Sequence, residues 1–275
     1  MTRKIKYVIK NNGRTVPFSF GKVKATCIRA GANSKLATYV AKKVSDKIRD
    51  GTTTRQIYNM VLDTLAIEDK SQVIRHRYRL KESIMLMGPA GFPFENYVSA
   101  ILAEHGFHIK SRRTKITGIC VTHEIDITAI TENTNGRYMI ECKFHNLPGI
   151  YTGIKEALYT HARFLDLKDQ FDKEMLVCNT KISNDAITYG KCVGQEIISW
   201  RYPINNGLEK MIESKGLYPI TILGLNKREL QSLSQNNVML VNDLINADSY
   251  QLSQQIKIPI RRIESLQNLA KQIIQ

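Results

Sequence analysis

The chain has 275 residues, 43% of them hydrophobic, and a formal net charge of +15. That length supports two or three folded units, and the basic excess points to a polyanionic partner such as nucleic acid or nucleotide. Five cysteines without a CxxC pair argue against a zinc module or a disulfide framework, and no apolar run reaches the roughly 18 residues of a membrane span. A soluble, cytoplasmic protein that does not enter membranes is the expectation.

Charge and Gly/Pro punctuation divide the chain into units 1–88, 89–203 and 204–275, with breaks at MGPAGFPF and RYPINNG. The first unit holds 19 basic and 6 acidic residues, so most of the excess charge is N-terminal. It opens with a short strand, Tyr7 to Ile9, an Asn11–Gly13 turn and a second strand near Thr15 to Phe18, a small hairpin. Leu36, Tyr39, Val40, Val44 and Ile48 then carry helical spacing up to Gly51. A second helix follows, with Thr53 or Thr54 as its N-cap, and SQVIRHRYRLKESIMLM reads as a third.

VIKNNGRTVPFSFGKV, GTTTRQIYNMVLDTL and the RHRYRLKESI helix resemble the ATP-cone, a regulatory nucleotide-binding module of ribonucleotide reductases and of a repressor of their genes. The resemblance implies that Lys10, Arg14 and Lys22 contact the phosphates of ATP or dATP, and that Thr54 and Tyr58 sit near the base or ribose. The family's Lys-Arg-Asp-Gly turn is here Lys10-Asn11-Asn12-Gly13, which lacks its arginine. A basic, DNA-binding helical domain is the alternative.

The middle unit begins with an amphipathic helix from Phe94 that carries Glu95 and ends at Gly106. FHIKSRRTK reads as a strand and a basic turn, in which Arg112, Arg113 and Lys115 would either track a DNA backbone or simply form a solvated loop. The β-branched run ICVTHEIDITAI and RYMIECKF form a pair of strands around a Thr131–Gly136 loop. Symmetric closure sets Ile130 opposite Arg137, Thr128 opposite Met139 and Asp126 opposite Glu141. Alternation sends Glu141 and Lys143 to one face and Ile140 and Cys142 to the other. Two carboxylates so placed repel unless a cation lies between them, and Mg²⁺ suits a pair of carboxylates with retained waters and a phosphate. Glu-x-Lys alone is uninformative, since Glu68-Asp69-Lys70 and Glu213-Ser214-Lys215 repeat it in helical contexts. His123 and His145 are expected to be hydrogen-bonded structural residues, with phosphate or water contact as the alternative, Glu124 to face away from Asp126 as a solvated or structural residue, and Trp200 to anchor a core or a junction.

A helix with Glu95, a strand with Asp126 and a strand with Glu141-Cys142-Lys143 together resemble the PD-(D/E)xK restriction endonuclease-like fold, and EIDI with IECKFH resembles its Mrr-type members. YTGIKEALYTHARFLDL and the strand, helix and strand after it continue the likeness to residue 203. The resemblance implies Asp126 and Glu141 as ligands of Mg²⁺ or Mn²⁺, Lys143 as the catalytic lysine and Glu95 as a supplementary acid. The usual Pro-Asp is replaced by Ile125-Asp126, and Glu141 stands where many Mrr-type enzymes have Gln.

The last unit shows two rounds of helix, turn and helix. The second resembles a helix-hairpin-helix module, with Ile256-Lys257-Ile258-Pro259 in place of the Gly-x-Gly turn, and Lys257, Arg261 and Arg262 as phosphate contacts. Pure protein packing is the equal alternative. The fold expected is multidomain α/β: a helical ATP-cone with a small hairpin, an endonuclease-like α/β core with a mixed sheet, and a small all-α C-terminal unit. The function expected is a metal-dependent endonuclease cutting double-stranded DNA, modified or unmodified, regulated by ATP or dATP and acting as a homodimer. The alternatives are a nucleotide-responsive DNA-binding regulator with an inactive nuclease fold, and a repair or RNA-processing nuclease.

Overall fold

A computed structural model describes residues 5–132 and 135–275; Asn133 and Thr134 of the expected loop, and residues 1–4, lie outside the described residues. The N-terminal layer is built on the hairpin β1 (Tyr7–Ile9) and β2 (Thr15–Pro17), joined in parallel by a short β3 (Thr52–Thr53) that the sequence reading did not anticipate. Gly13 closes the hairpin at φ +77°, a conformation that L side chains rarely adopt. Helices α1 (Phe20–Arg29), α2 (Ser34–Lys47) and α3 (Thr54–Glu68) pack beneath it. Ser19, Asn33 and Thr53 accept backbone N–H groups at their three N-termini, and Thr53 completes a capping box with Gln56. Val40, Val44, Val61 and Leu65 form the centre of this core.

The third helix expected is two. α4 (Val73–Tyr78) and α5 (Leu80–Met87) break at Arg79, where ψ is near 0°. The break lets the two halves serve different cores: Ile74 and Tyr78 lean on the N-terminal core, while Leu80, Ile84 and Met87 enter a second one.

That second core is organised by a five-stranded mixed sheet of order β10-β8-β6-β5-β4. Its strands are β4 (Phe107–Thr117), β5 (Thr122–Thr131), β6 (Arg137–Lys143), β8 (Lys173–Cys178) and β10 (Glu196–Ile198). α6 (Phe94–Ala103) covers one face, through Tyr97, Val98 and Ile101 against Ile127 and Ile140. α7 (Ile154–Asp166) covers the other, with Phe164 and Leu167 beside Ile125 and Met139. The short pair β7 (Tyr151–Thr152) and β9 (Lys181–Ile182) leads into α7 and α8 (Asn184–Val193). β4, β5 and β6 are antiparallel, whereas β6, β8 and β10 run parallel.

The C-terminal helices are α9 (Leu208–Lys215), a 3₁₀ turn at Ile220–Leu223, α10 (Lys227–Gln235), α11 (Val241–Asn246), α12 (Ser249–Ile256) and α13 (Ile260–Ile274). Their apolar faces continue the sheet's core instead of closing a separate one: Trp200, Met211, Tyr218, Leu244, Leu266 and Ile273 belong to the same cluster as Ile140. Tyr97 donates to the Leu217 carbonyl at 2.8 Å and Thr221 to the Ser83 carbonyl at 2.7 Å, so the segments are tied by buried polar contacts as well. No helix among the described residues is long and apolar enough to cross a membrane.

Candidate active site

Strand β6 pairs with β5 in the register read from the sequence: Ile130 lies opposite Arg137 and Thr128 opposite Met139. Backbone pairing ends at Ile127 and Ile140, one pair short of Asp126 and Glu141. Beyond that point the Cys142 N–H donates to the Asp126 carboxylate at 2.7 Å, so a side chain takes the place of the next ladder bond. β5 also changes facing here. Ile127 enters the α6 core and Ile125 the α7 core, although they share a parity; Arg113, across from this point on β4, has φ +50°. Asp126 is thereby left at the splayed end of the strand pair, aimed at β6.

Glu141 stands on the α7 side of β6, as the alternation of buried Met139 with Ile140 requires. Burial, with the neighbouring Asp126 charge, pushes its carboxyl up to about 7, against the lowering effect of Arg163 and Lys143. Asp126 is also raised, chiefly by burial and further by Glu95 and Glu124, although the Cys142 N–H and Arg163 oppose this. Lys143 is exposed at the end of β6. Asp126, Glu141, Lys143 and Glu95 are therefore brought to one sheet end. Among the described residues no three Asp, Glu, His or Cys side chains converge into a ready metal cage. Two desolvated, mutually repelling carboxylates do fit Mg²⁺ or Mn²⁺, which need only one or two carboxylates when water and a phosphate complete the shell.

The residue that sequence reading missed is Arg163. It projects from α7, buried, and its guanidinium bonds both the Glu141 carboxylate and the Glu124 carbonyl while stacking 5.3 Å from the Tyr159 ring. Its Nε is buried without a partner among the described residues. Its charge lowers both the Asp126 and the Glu141 carboxyl and so offsets part of their repulsion.

The other residues singled out in the sequence fall as follows. Arg112, Arg113 and Lys115 lie within β4, which carries a bulge between Ile109 and Ser111, and not in a turn. Arg113 stands 3.7 Å from Glu95 and 3.8 Å from Glu124, so it is engaged by carboxylates. Glu124 is half exposed as expected, but it does not stand clear of Asp126: it shares Arg113 with Glu95, and its charge helps raise the Asp126 carboxyl. His123 pairs with Asp166 at 2.8 Å; against the desolvation that raises it, this bond and the Cys120 and Val121 N–H groups hold Asp166 well below the carboxylate range. Arg262 bonds Glu229 at 2.8 Å, whereas Lys257 and Arg261 are exposed.

Thr54 and Tyr58 line a cleft of about 400 Å³ with Asn11, Arg55, Lys81 and Glu82. Lys10, Arg14 and Lys22 are exposed and stand outside its lining. Glu82 accepts from Tyr58 and from Arg55, both at 2.7 Å.

Comparison with known proteins fits this architecture. Residues 6–83 match the ATP cone domain, and residues 218–274 match the AF1548-like C-terminal domain. An uncharacterized protein of Archaeoglobus fulgidus is 42% identical over 178 residues, which are 64% of this chain and 99% of that protein. The crystal structure of a protein of unknown function, AF1548, superposes with a TM-score of 0.56 at 42% identity, covering 66% of this chain and 96% of the other. The chain belongs to the AF1548-like family, and it carries an ATP cone domain at its N-terminus. A repair endonuclease from Pyrococcus abyssi resembles 38% of this chain and 45% of its own, at 14% identity and a TM-score of 0.30, a likeness too slight to bear on function.

Proposed function

We propose that the protein is a metal-dependent phosphodiester hydrolase acting on DNA, of the Mrr-type PD-(D/E)xK kind, whose ATP cone binds ATP or dATP as a regulator. The observation that carries the reading is the placement of Asp126 and Glu141 together at the splayed end of β5 and β6, where the Cys142 N–H holds the Asp126 carboxylate, with Lys143 two residues beyond Glu141. Asp126 and Glu141 would hold Mg²⁺ or Mn²⁺, which supplies Lewis acidity at the phosphate and an acidified water. Lys143 holds and orients the attacking water through its ammonium and offsets the charge that develops on the phosphate oxygens. Glu95, fixed on α6, adds negative potential at the same end and keeps Arg113 beside the site. The Cys142 N–H fixes the Asp126 carboxylate, and Arg163 fixes that of Glu141. Exposed Arg112, Lys257 and Arg261 are the candidates for DNA-backbone contact, Lys257 in the helix-hairpin-helix-like turn between α12 and α13 and Arg261 in the first turn of α13. Cleavage of both strands would call for a homodimer, since one such centre cuts one strand.

Incubation of the full chain with duplex DNA, Mg²⁺ or Mn²⁺, and ATP or dATP tests the reading. Metal-dependent cuts that vanish in Lys143→Ala are expected, and no cutting under any of these conditions would overturn it. A second reading, a nucleotide-responsive DNA-binding regulator on an inactive nuclease fold, draws on one observation: Arg163 already occupies Glu141. It predicts DNA binding that responds to nucleotide, with no metal-dependent cutting. Comparing modified DNA, unmodified DNA and structured RNA as substrates separates a defence nuclease from a repair or RNA-processing one.

A further inference from the structure

We infer that the nucleotide site is composite: the loop directly after the Glu141–Lys143 strand forms one wall of the ATP-cone cleft, so that a nucleoside triphosphate bound there acts on that strand end without an intermediary. The inference rests on the regulatory part of the proposed function and adds the route. The cleft is bounded by α3 and α5 on one side and by Asn146 and Pro148 on the other, only three and five residues past Lys143. The loop also touches the hairpin itself, since a Cβ at Gly149 would lie 3.4 Å from the Asn11 Cβ.

Two features make the loop a stiff extension of β6 and not a loose flap. His145 donates its N–H to Asn179 at 2.9 Å, and the Asn179 amide donates back to the His145 carbonyl at 2.8 Å. That exchange continues the pairing of Lys143 with Cys178 at the end of β8. Phe144, between Lys143 and His145, presses on the end of α5 so closely that a Cβ at Gly88 would stand 2.7 Å from its ring. The same ring lies 5.4 Å from that of Phe94, the neighbour of Glu95. A displacement of α5 or of the loop is thus transmitted to the flanks of both Lys143 and Glu95, because close-packed groups have no free volume in which to absorb it.

The cleft is also prepared for an anion. Lys81 lines it, makes no ion pair among the described residues, and sits 5.5 Å over the Trp200 ring. Arg55 is held by Glu82, a contact that triphosphate oxygens would compete for.

The test uses the full chain in Asn146→Ala and Pro148→Gly forms, with ATP and dATP affinity measured by calorimetry at fixed Mg²⁺. Amide hydrogen exchange of the wild-type protein with and without ATP is read in parallel, so the result does not hang on a variant that folds poorly. At least about a fivefold loss of affinity in both variants, the scale of an ordinary coupling, with ATP-dependent protection of the amides of residues 144–147, is expected. Affinities within twofold of wild type, or protection confined to residues 5–87, would overturn the composite site. Both readouts register nucleotide and not cleavage, so a protein that never cuts DNA would count against the hydrolase alone.

Discussion

Replacing Lys81 with Met should make the nucleotide-free protein more stable while weakening its hold on ATP. Burial, reinforced by the charges of Lys181 and Arg201, lowers the Lys81 ammonium from the ordinary lysine value of 10.5 to about 8. At ~1.4 kcal/mol per pH unit, that difference costs the folded state about 3 kcal/mol wherever lysine is charged in both states. The cation–π contact with Trp200 returns about 1 kcal/mol, leaving a net cost of about 2 kcal/mol that an apolar side chain of similar length would remove. The sign with pH is fixed by linkage. The folded value lies below the unfolded one, so the cost is fully present below about 8 and fades as pH rises from there to 10.5. Thermal melts of Lys81→Met should therefore exceed wild type by several degrees at pH 7, at ~2–4 °C per kcal/mol, and the gap should narrow steadily as pH rises from 8 towards 10.5. ATP affinity should fall about tenfold or more, as expected for the loss of a charge-assisted phosphate contact. A variant that melts lower at pH 7, or that binds ATP as wild type does, would refute this account of Lys81.

Two further outcomes follow from the carboxylate pair. Arg163→Met removes the buried partner of Glu141, and above pH 7, where that carboxyl is otherwise ionised, should destabilise the protein by up to about 3 kcal/mol, less at lower pH where Glu141 takes up a proton; Mn²⁺ should recover part of the loss in a thermal shift, and an unchanged melt at pH 8 would count against the ion pair. Glu141 titrates near 7 in the fold against 4.5 unfolded, so the folded state holds the extra proton between those values, and this group's contribution to stability falls as pH rises from about 4.5 to 7. Divalent metal must displace that proton, so Mn²⁺ affinity should be full above pH 7.5 and fall towards tenfold per unit below about 6.5. Affinity that is flat from pH 5.5 to 8 would contradict it.

Much of this was legible in local sequence, because local chemistry determines it. The Asn-Gly turn announced the hairpin, the Thr53–Thr54 pair announced the start of α3 without deciding which of the two caps it, and the β-branched runs on either side of residues 131–136 gave the register at Ile130–Arg137 and Thr128–Met139. What failed was tertiary. Arg163 lies 22 residues from Glu141 on a helix whose inward face is settled only when α7 docks on the sheet. The break at Arg79 arises because α4 and α5 answer to different cores, which no helical periodicity within the segment reveals. The facing change at Asp126 defeats any alternation argument carried through it, and so the placement of Glu124 and Arg113 could not be counted out from the strand pattern. The C-terminal helices looked self-sufficient by spacing, yet Met211, Leu244 and Ile273 join the sheet's own core.

The central claim is that Asp126, Glu141 and Lys143 form a working hydrolytic centre, and the most direct measurement is single-turnover cleavage of end-labelled duplex DNA by wild type and Lys143→Ala at equal occupancy of DNA and Mn²⁺. The account predicts metal-dependent product from wild type and a rate at least about a hundredfold lower in the variant, with DNA affinity nearly unchanged, the scale of losing a positioned transition-state charge. Equal rates in the two proteins, or no product from either while both bind DNA, would contradict it.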